Sequence, residues 1–189
     1  GLGDVYKRQR EYRMMQNVAD TAKGDVTGKP RISLETYVQM EYFDRIIRHA
    51  NLRLLHMSRG QYELKRRQLP EKGTNREVGL DLDVIDHYNG SIREVGTLSG
   101  GESFLAALSL ALGMSDMVQA SAASAVRLDT MFVDEGFGSL SGNFLELAMN
   151  ELIDTAENGH RLIGIISHVE EVKGRIHRRI EVTLSLIHI

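Results

Sequence analysis

Two short continuous apolar runs, Thr130-Met131-Phe132-Val133 and Leu162 to Ile166, bracket a stretch of helical length from Asn143 to Glu157. Unbroken apolar runs of this size are the form taken by strands buried in a parallel sheet. Parallel neighbours cannot be joined by a tight turn, so the helix between them is a crossover, and strand twist makes that crossover right-handed. This unit commits the region to an α/β layer. The first run ends in Asp134-Glu135 and the second in Ser167-His168, so both pairs belong to the carboxyl edge of the layer, where open α/β sheets bind ligands.

The remaining pattern supplies helices and a second group of strands. Arg10 to Lys23 is polar with Met14, Met15, Val18 and Ala19 on one side, a helix end. Gly24 to Pro30 breaks it. Ser33 is an N-cap for a long helix whose apolar stripe is Met40, Phe43, Ile47, Ala50, Leu54 and Met57, stopped by Gly60. Gln61 to Arg67 and Val78 to Val84 alternate with period two and read as strands, with Leu69 to Arg76 a polar loop between them. Asn89-Gly90 is a turn, and Ile92 to Val95 is a short edge strand. A helix from Ser99 places Phe104, Leu105, Leu108, Leu112 and Val118 inward, followed by a small-residue loop from Ala120 to Ala125. A short helix after His168 leads to a final amphipathic strand near Arg179 to Val182.

Composition narrows the function classes. Lys+Arg 23 against Asp+Glu 26 leaves a net charge of −3, so nucleic-acid binding needs a local patch or a partner rather than a global basic field. Lys65, Arg66 and Arg67 cluster, either as such a patch or as a solvated strand edge. Cys 0 excludes disulfides and cysteine-ligated zinc and fits a reducing, cytoplasmic setting. The longest apolar stretch, Phe104 to Met114, is too short to span a bilayer, so no membrane partner is expected.

Three signals carry chemistry. Ser99 and Glu102 have capping-box spacing, which by itself means only a helix start. Gly100 and Gly101 between them strip side chains from the electropositive helix tip, opening its N–H groups to a phosphate. Asp134 at the end of a buried strand suits Mg²⁺ held through water, and the adjacent Glu135 suits a general base. His168 stands on the same edge; His49, His56, His87, His160 and His177 lack such a setting and read as surface or structural.

In this order the motifs resemble the C-terminal half of an ABC-type ATPase, more closely the SMC-like branch, and within it the SbcC-type exonuclease subunits. The residues concerned are Thr97 to Phe104, Leu128 to Leu140, Gly164 to Val169 and Ile32 to Val38, with the resemblance running from about Asp20 to Val182. It implies a P-loop NTPase-like, mostly parallel sheet with flanking helices, and the end of a coiled coil at the N-terminus. It further implies that Ser99, Gly100, Gly101 and Glu102 form the signature motif, which reaches ATP held by the opposite copy in a head-to-head dimer. Asp134 matches the Walker B carboxylate holding Mg²⁺, Glu135 the catalytic base, Gly138 to Ser141 (with Ser139 and Ser141 near nucleotide) the D-loop, and His168 the switch histidine. The function implied is an ATPase that closes around double-stranded DNA ends and gates a partner nuclease of the SbcD type.

Two departures accompany the resemblance. The family's D-loop normally ends in an acidic residue, where Ser141 stands. The P-loop is missing: Gly24-Asp25-Val26-Thr27-Gly28-Lys29-Pro30 has three residues between its glycines instead of four, and Pro30 replaces the hydroxyl. The resemblance implies a P-loop in an N-terminal ATPase half beyond a long coiled coil, and this lobe alone is expected to hydrolyse ATP poorly or not at all. The termini, Asp4 to Gln9 and Leu184 to Ile189, resemble in-frame translations of the two strands of a sequencing-library transposon end. The expected division is thus a non-native tail at 1–9, the returning coiled coil and loop at 10–30, the ATPase lobe at 31–183 and a second non-native tail at 184–189. Alternative readings are another SMC-like chromosome or recombination ATPase, a transporter nucleotide subunit, or an α/β domain without nucleotide chemistry. Gly136 after Glu135 and Glu102 at the signature's fifth position weigh against the transporter.

Overall fold

The computed structural model describes residues 2–23, 33–67, 79–121 and 128–182. The glycine-rich segment 24–30, the polar loop 69–76, most of the small-residue loop 120–125 and the tail 184–189 lie outside the described residues. Helix α1 spans Leu2–Lys23, so the helix expected from Arg10 extends back through residues 2–9. Helix α2 spans Leu34–Met57 and starts where Ser33 predicts, its Oγ accepting from the Thr36 N–H at 3.1 Å. Met40, Ile47, Ala50, Leu54 and Met57 of the expected stripe are buried, and Phe43 is half-buried.

Strands β1 (Tyr62–Arg66), β2 (Leu82–Asp86) and β3 (Ser91–Glu94) form an antiparallel sheet in that order. The strand expected over Val78 to Val84 is displaced: it begins at Leu82 because the β1 ladder ends with Arg66 opposite Leu82, and Leu80 is exposed in a bend before it. Asn51 of α2 fixes this sheet to the helix by donating to the Leu64 carbonyl and accepting from the Leu64 N–H, both at 2.8 Å.

Helix α3 (Gly100–Ala120) crosses α2 at close range. By length and composition it would suit a membrane span, yet Leu105, Leu108 and Leu112 are buried in the common core, as in a core helix. A Cβ on Gly113 would lie 2.5 Å from the Ala50 backbone nitrogen, so the crossing depends on hydrogen at that position. Gly113→Leu is expected to destabilise the fold by about 3 kcal/mol, because overpacking here meets backbone rather than a movable side chain. Thermal unfolding would show this as a loss of roughly 6–12 °C, and an unchanged midpoint would contradict the packing.

Strands β4 (Thr130–Asp134) and β5 (Leu162–Ile166) pair in parallel, Asp134 opposite Ile166, joined through α4 (Gly142–Asn158); α5 (Glu170–Arg175) follows. The α/β class holds, with the parallel part limited to two strands among the described residues and the antiparallel sheet beside it. The inner face, Met131, Val133, Ile163 and Ile165, packs on the core. The expectation of strands buried on both faces fails: Phe132, Leu162 and Ile166 are 70%, 68% and 56% exposed, since the described helices cover one side only. The final strand expected at Arg179 to Val182 does not form, as no described neighbour pairs with it and Ile180 and Val182 are almost fully exposed.

A polar cluster joins the three long core helices. Arg53 of α2 donates to both Asp116 oxygens on α3 at 2.7 and 3.2 Å, and to Glu151 and Thr155 on α4 at 2.5 and 2.8 Å. Arg161, at the entry to β5, donates to Asp116 at 2.7 Å, and His56 meets the second Glu151 oxygen at 3.2 Å.

Candidate functional site

The parallel register sets Asp134, Glu135 and His168 on one rim. The ladder runs one residue beyond β4, the Glu135 N–H donating to the Ile166 carbonyl at 3.0 Å, and His168 lies two residues past β5. All three side chains are exposed. Glu135 takes a left-handed backbone, φ +59°, a conformation costing a non-glycine residue on the order of 1 kcal/mol. Such strain survives where the surroundings impose it. Gly136 follows at φ +89°, and a Cβ there would come 2.5 Å from the Phe104 ring.

The chain then makes a 3-10 turn, Phe137–Ser139, anchored by the buried Phe137 ring, which stands 5.1 Å from Phe104. The turn brings Gly138 beside His168, whose imidazole lies 3.6 Å from where a Gly138 Cβ would be. Ser139 closes this turn, and Ser141 caps α4 by backbone only, its exposed side chain making no cap hydrogen bond.

The α3 tip is built differently from what the glycines alone imply. Ser99 and Glu102 do form a reciprocal capping box: Ser99 Oγ accepts from the Glu102 N–H at 3.4 Å, and Glu102 Oε2 accepts from the Ser99 N–H at 2.8 Å. Gly100 faces open space, so it leaves the tip accessible. Gly101 is buried, and a Cβ on it would come 2.7 Å from the Phe144 ring; its bareness serves packing of α3 on α4. Glu102 Oε1 accepts from the Tyr62 hydroxyl at 2.5 Å, and Arg93 stands 3.6 Å from Oε2. Burial opposes the Glu102 charge, but the Tyr62 and Ser99 hydrogen bonds and Arg93 outweigh it and hold the carboxyl below the ordinary glutamate range. Burial and the Glu102 charge push the Tyr62 hydroxyl up to about 12.

The rim and the tip are thus two separate groups linked through Phe104, which touches Gly136 and Phe137, and through Phe144 against Gly101. Chemically, the rim offers two adjacent carboxylates and an imidazole, and the tip offers unblocked N–H groups with a hydroxyl. No cluster of three or more His, Cys, Asp or Glu able to hold a metal occurs among the described residues. Mg²⁺ takes one or two protein carboxylates and completes its shell with water and substrate phosphates, a demand that the carboxylates of the rim are enough to meet.

Tyr62, Arg93 and Phe104 are the residues whose part the sequence conceals: Tyr62 and Phe104 read only as a strand and a core position. The basic cluster resolves as a paired strand edge, with Arg66 on Asp44 and Arg67 on Asp83 and Glu94.

Residues 74–154 match the family model described as SbcC/RAD50-like, Walker B motif, a span holding Ser99, Asp134 and Glu135 but not His168. The chain is 49% identical over 185 residues to the SbcC subunit of the SbcCD nuclease of Vibrio cholerae, covering 96% of this chain and 18% of that protein. It is 42% identical over 182 residues to the SbcC subunit of Staphylococcus epidermidis, covering 96% and 17%. It therefore spans under a fifth of the length of these relatives. Among solved structures, a chain from work on ATP-driven dimerization and DNA-stimulated activation of SMC ATPases superposes with a TM-score of 0.58 at 16% identity, covering 80% of this chain and 84% of that one. An Smc head bound to the C-winged helix domain of ScpA gives 0.52 at 15%, covering 74% and 39%. The fold is shared with SMC head structures, and the chain is homologous to the C-terminal region of the SbcC subunit of SbcCD nucleases.

Proposed function

We propose that this region is the C-terminal lobe of an SbcC-like ATPase, that it works as a head-to-head dimer in the cytoplasm, and that ATP engagement gates an SbcD-type nuclease acting on double-stranded DNA ends and hairpins. The single observation behind this reading is the common rim of Asp134, Glu135 and His168, with Glu135 strained into the left-handed region. Phosphoryl transfer depends on positioning and charge stabilisation more than on covalent chemistry. Glu135 orients the attacking water and takes its proton, and His168 donates toward the γ-phosphate. The Ser99 hydroxyl and the N–H groups around Gly100 meet the triphosphate of the opposite copy. Asp134 would hold Mg²⁺, which when bound would supply charge neutralisation at the phosphates. Ser139 and Ser141 border the nucleotide in the loop that passes His168.

The bare apolar face of Phe132, Leu162 and Ile166 supports a role for an N-terminal half of the same protein, carrying the P-loop, as its cover: parallel strands are stable when both faces are covered. The test of this reading is Ser99→Arg in the full-length protein. The cationic side chain fills the phosphate approach, so ATP-driven dimerisation measured by light scattering is expected to weaken about 100-fold. Loss of the cap costs only about 1 kcal/mol of stability. Normal dimerisation in this variant would remove the tip from its assigned role.

A further inference from the structure

The open end of the α3 helix is held from outside by two residues of the antiparallel sheet. Tyr62 of β1 donates to Glu102 Oε1 at 2.5 Å, and its oxygen accepts from the Gln61 side-chain amide at 2.9 Å. Arg93 of β3 faces Glu102 Oε2, and the same guanidinium donates to the Thr97 carbonyl at 2.8 Å and the Thr97 hydroxyl at 3.1 Å. Thr97 Oγ1 in turn donates to the Glu94 carbonyl at 2.7 Å. Both carboxylate oxygens of Glu102 are therefore committed, and the segment from Thr97 to Glu102 is gripped at each end. β1 itself is bracketed to α2 by Asn51, which pairs with the backbone of Leu64, two positions along from Tyr62.

From this geometry we infer that Tyr62 and Arg93 are positioning residues for the Ser99 tip: they act through Glu102 and Thr97 to fix the direction of the Ser99 hydroxyl and the tip N–H groups. The inference rests on the ATPase reading for what the tip contacts, though not for the clamp. A carboxylate that caps a helix start tightly only when its own orientation is fixed makes the tip preorganised, and preorganised donors bind an anion without an ordering penalty. Glu102 thereby acts on the helix start instead of on phosphate, and Tyr62 and Arg93, distant in sequence, become part of the apparatus.

The experiment uses Tyr62→Phe in the full-length protein, which removes one oxygen and keeps the ring. Hydrogen exchange without nucleotide is expected to run about tenfold faster at the hydrogen-bonded amides of Ser99, Glu102 and Ser103, the loss of one charge-assisted hydrogen bond. With ATP and Mg²⁺, KM is expected to rise about tenfold while kcat stays within about twofold. A purely structural hydroxyl would lower the unfolding midpoint without this split. Unchanged exchange at these amides, or KM and kcat falling together with the midpoint, overturns the inference. Faster exchange in a protein whose unsubstituted form shows no ATP-dependent activity would keep the clamp and remove the ATPase reading. If Tyr62→Phe fails to fold, Arg93→Gln reads the same amides from the solvent side, with about threefold faster exchange expected.

Discussion

Replacing Glu135 with Gln in the full-length protein is expected to reduce ATP turnover by about 10²–10⁴-fold, the usual contribution of a general base, while leaving ATP binding intact. The nucleotide-bound dimer would then accumulate, seen as a persistent increase in light scattering alongside lost phosphate release. The geometry makes a second variant informative. Glu135 sits at φ +59°, and glycine reaches that conformation without the roughly 1 kcal/mol steric cost. Glu135→Gly should therefore lose turnover as Glu135→Gln does, yet keep or slightly raise the unfolding midpoint. Turnover unchanged in Glu135→Gln would take the base assignment away from this residue.

The second large effect concerns the cluster among α2, α3 and α4. Arg53→Met is expected to destabilise the fold by about 3–5 kcal/mol, because it leaves buried carboxylate charge without its main partner. Glu151 is 4% exposed and, among the described residues, would keep only the exposed His56 as a partner. Chemical denaturation measures the loss, and the double substitution Arg53→Met with Glu151→Leu should recover most of it, since an apolar pair of similar volume replaces the ion pair. The pH dependence carries a definite sign. Burial resists the Asp116 charge, but Arg53 and Arg161 outweigh it and lower its pKa below 3.8. A carboxyl with a lowered folded pKa contributes stability fully above its unfolded value, and that contribution fades as pH falls through the folded one. The penalty of Arg53→Met should thus be largest near neutrality and shrink below about pH 4. A penalty growing on acidification would contradict the pairing.

Much of the architecture was legible because local physics repeated the tertiary answer. The stripe on α2, the Ser33 cap and the apolar runs of β4 and β5 each carry a period or a cap that one arrangement satisfies. The failures lie where a segment's fate depends on a neighbour. Val78 to Val84 has strand periodicity, yet only the part opposite β1 pairs. Arg179 to Val182 alternates as a strand should, yet has no described strand beside it. β4 and β5 read as doubly buried, yet the described helices cover one face.

At the candidate site the same division holds. Sequence alone determined which residues share the rim: Asp134, Glu135 and His168 stand at strand ends, and strand ends of a parallel unit share an edge. It also determined the capping box, a matter of three-residue spacing. Tertiary structure alone decided that Gly101 makes room for Phe144 while Gly100 leaves the tip open, that Phe104 lies over Gly136, and that Tyr62 and Arg93 hold Glu102. Those pairings join residues about ten to forty positions apart, and only packing sets such distances, since no local periodicity or turn preference reaches across the intervening chain.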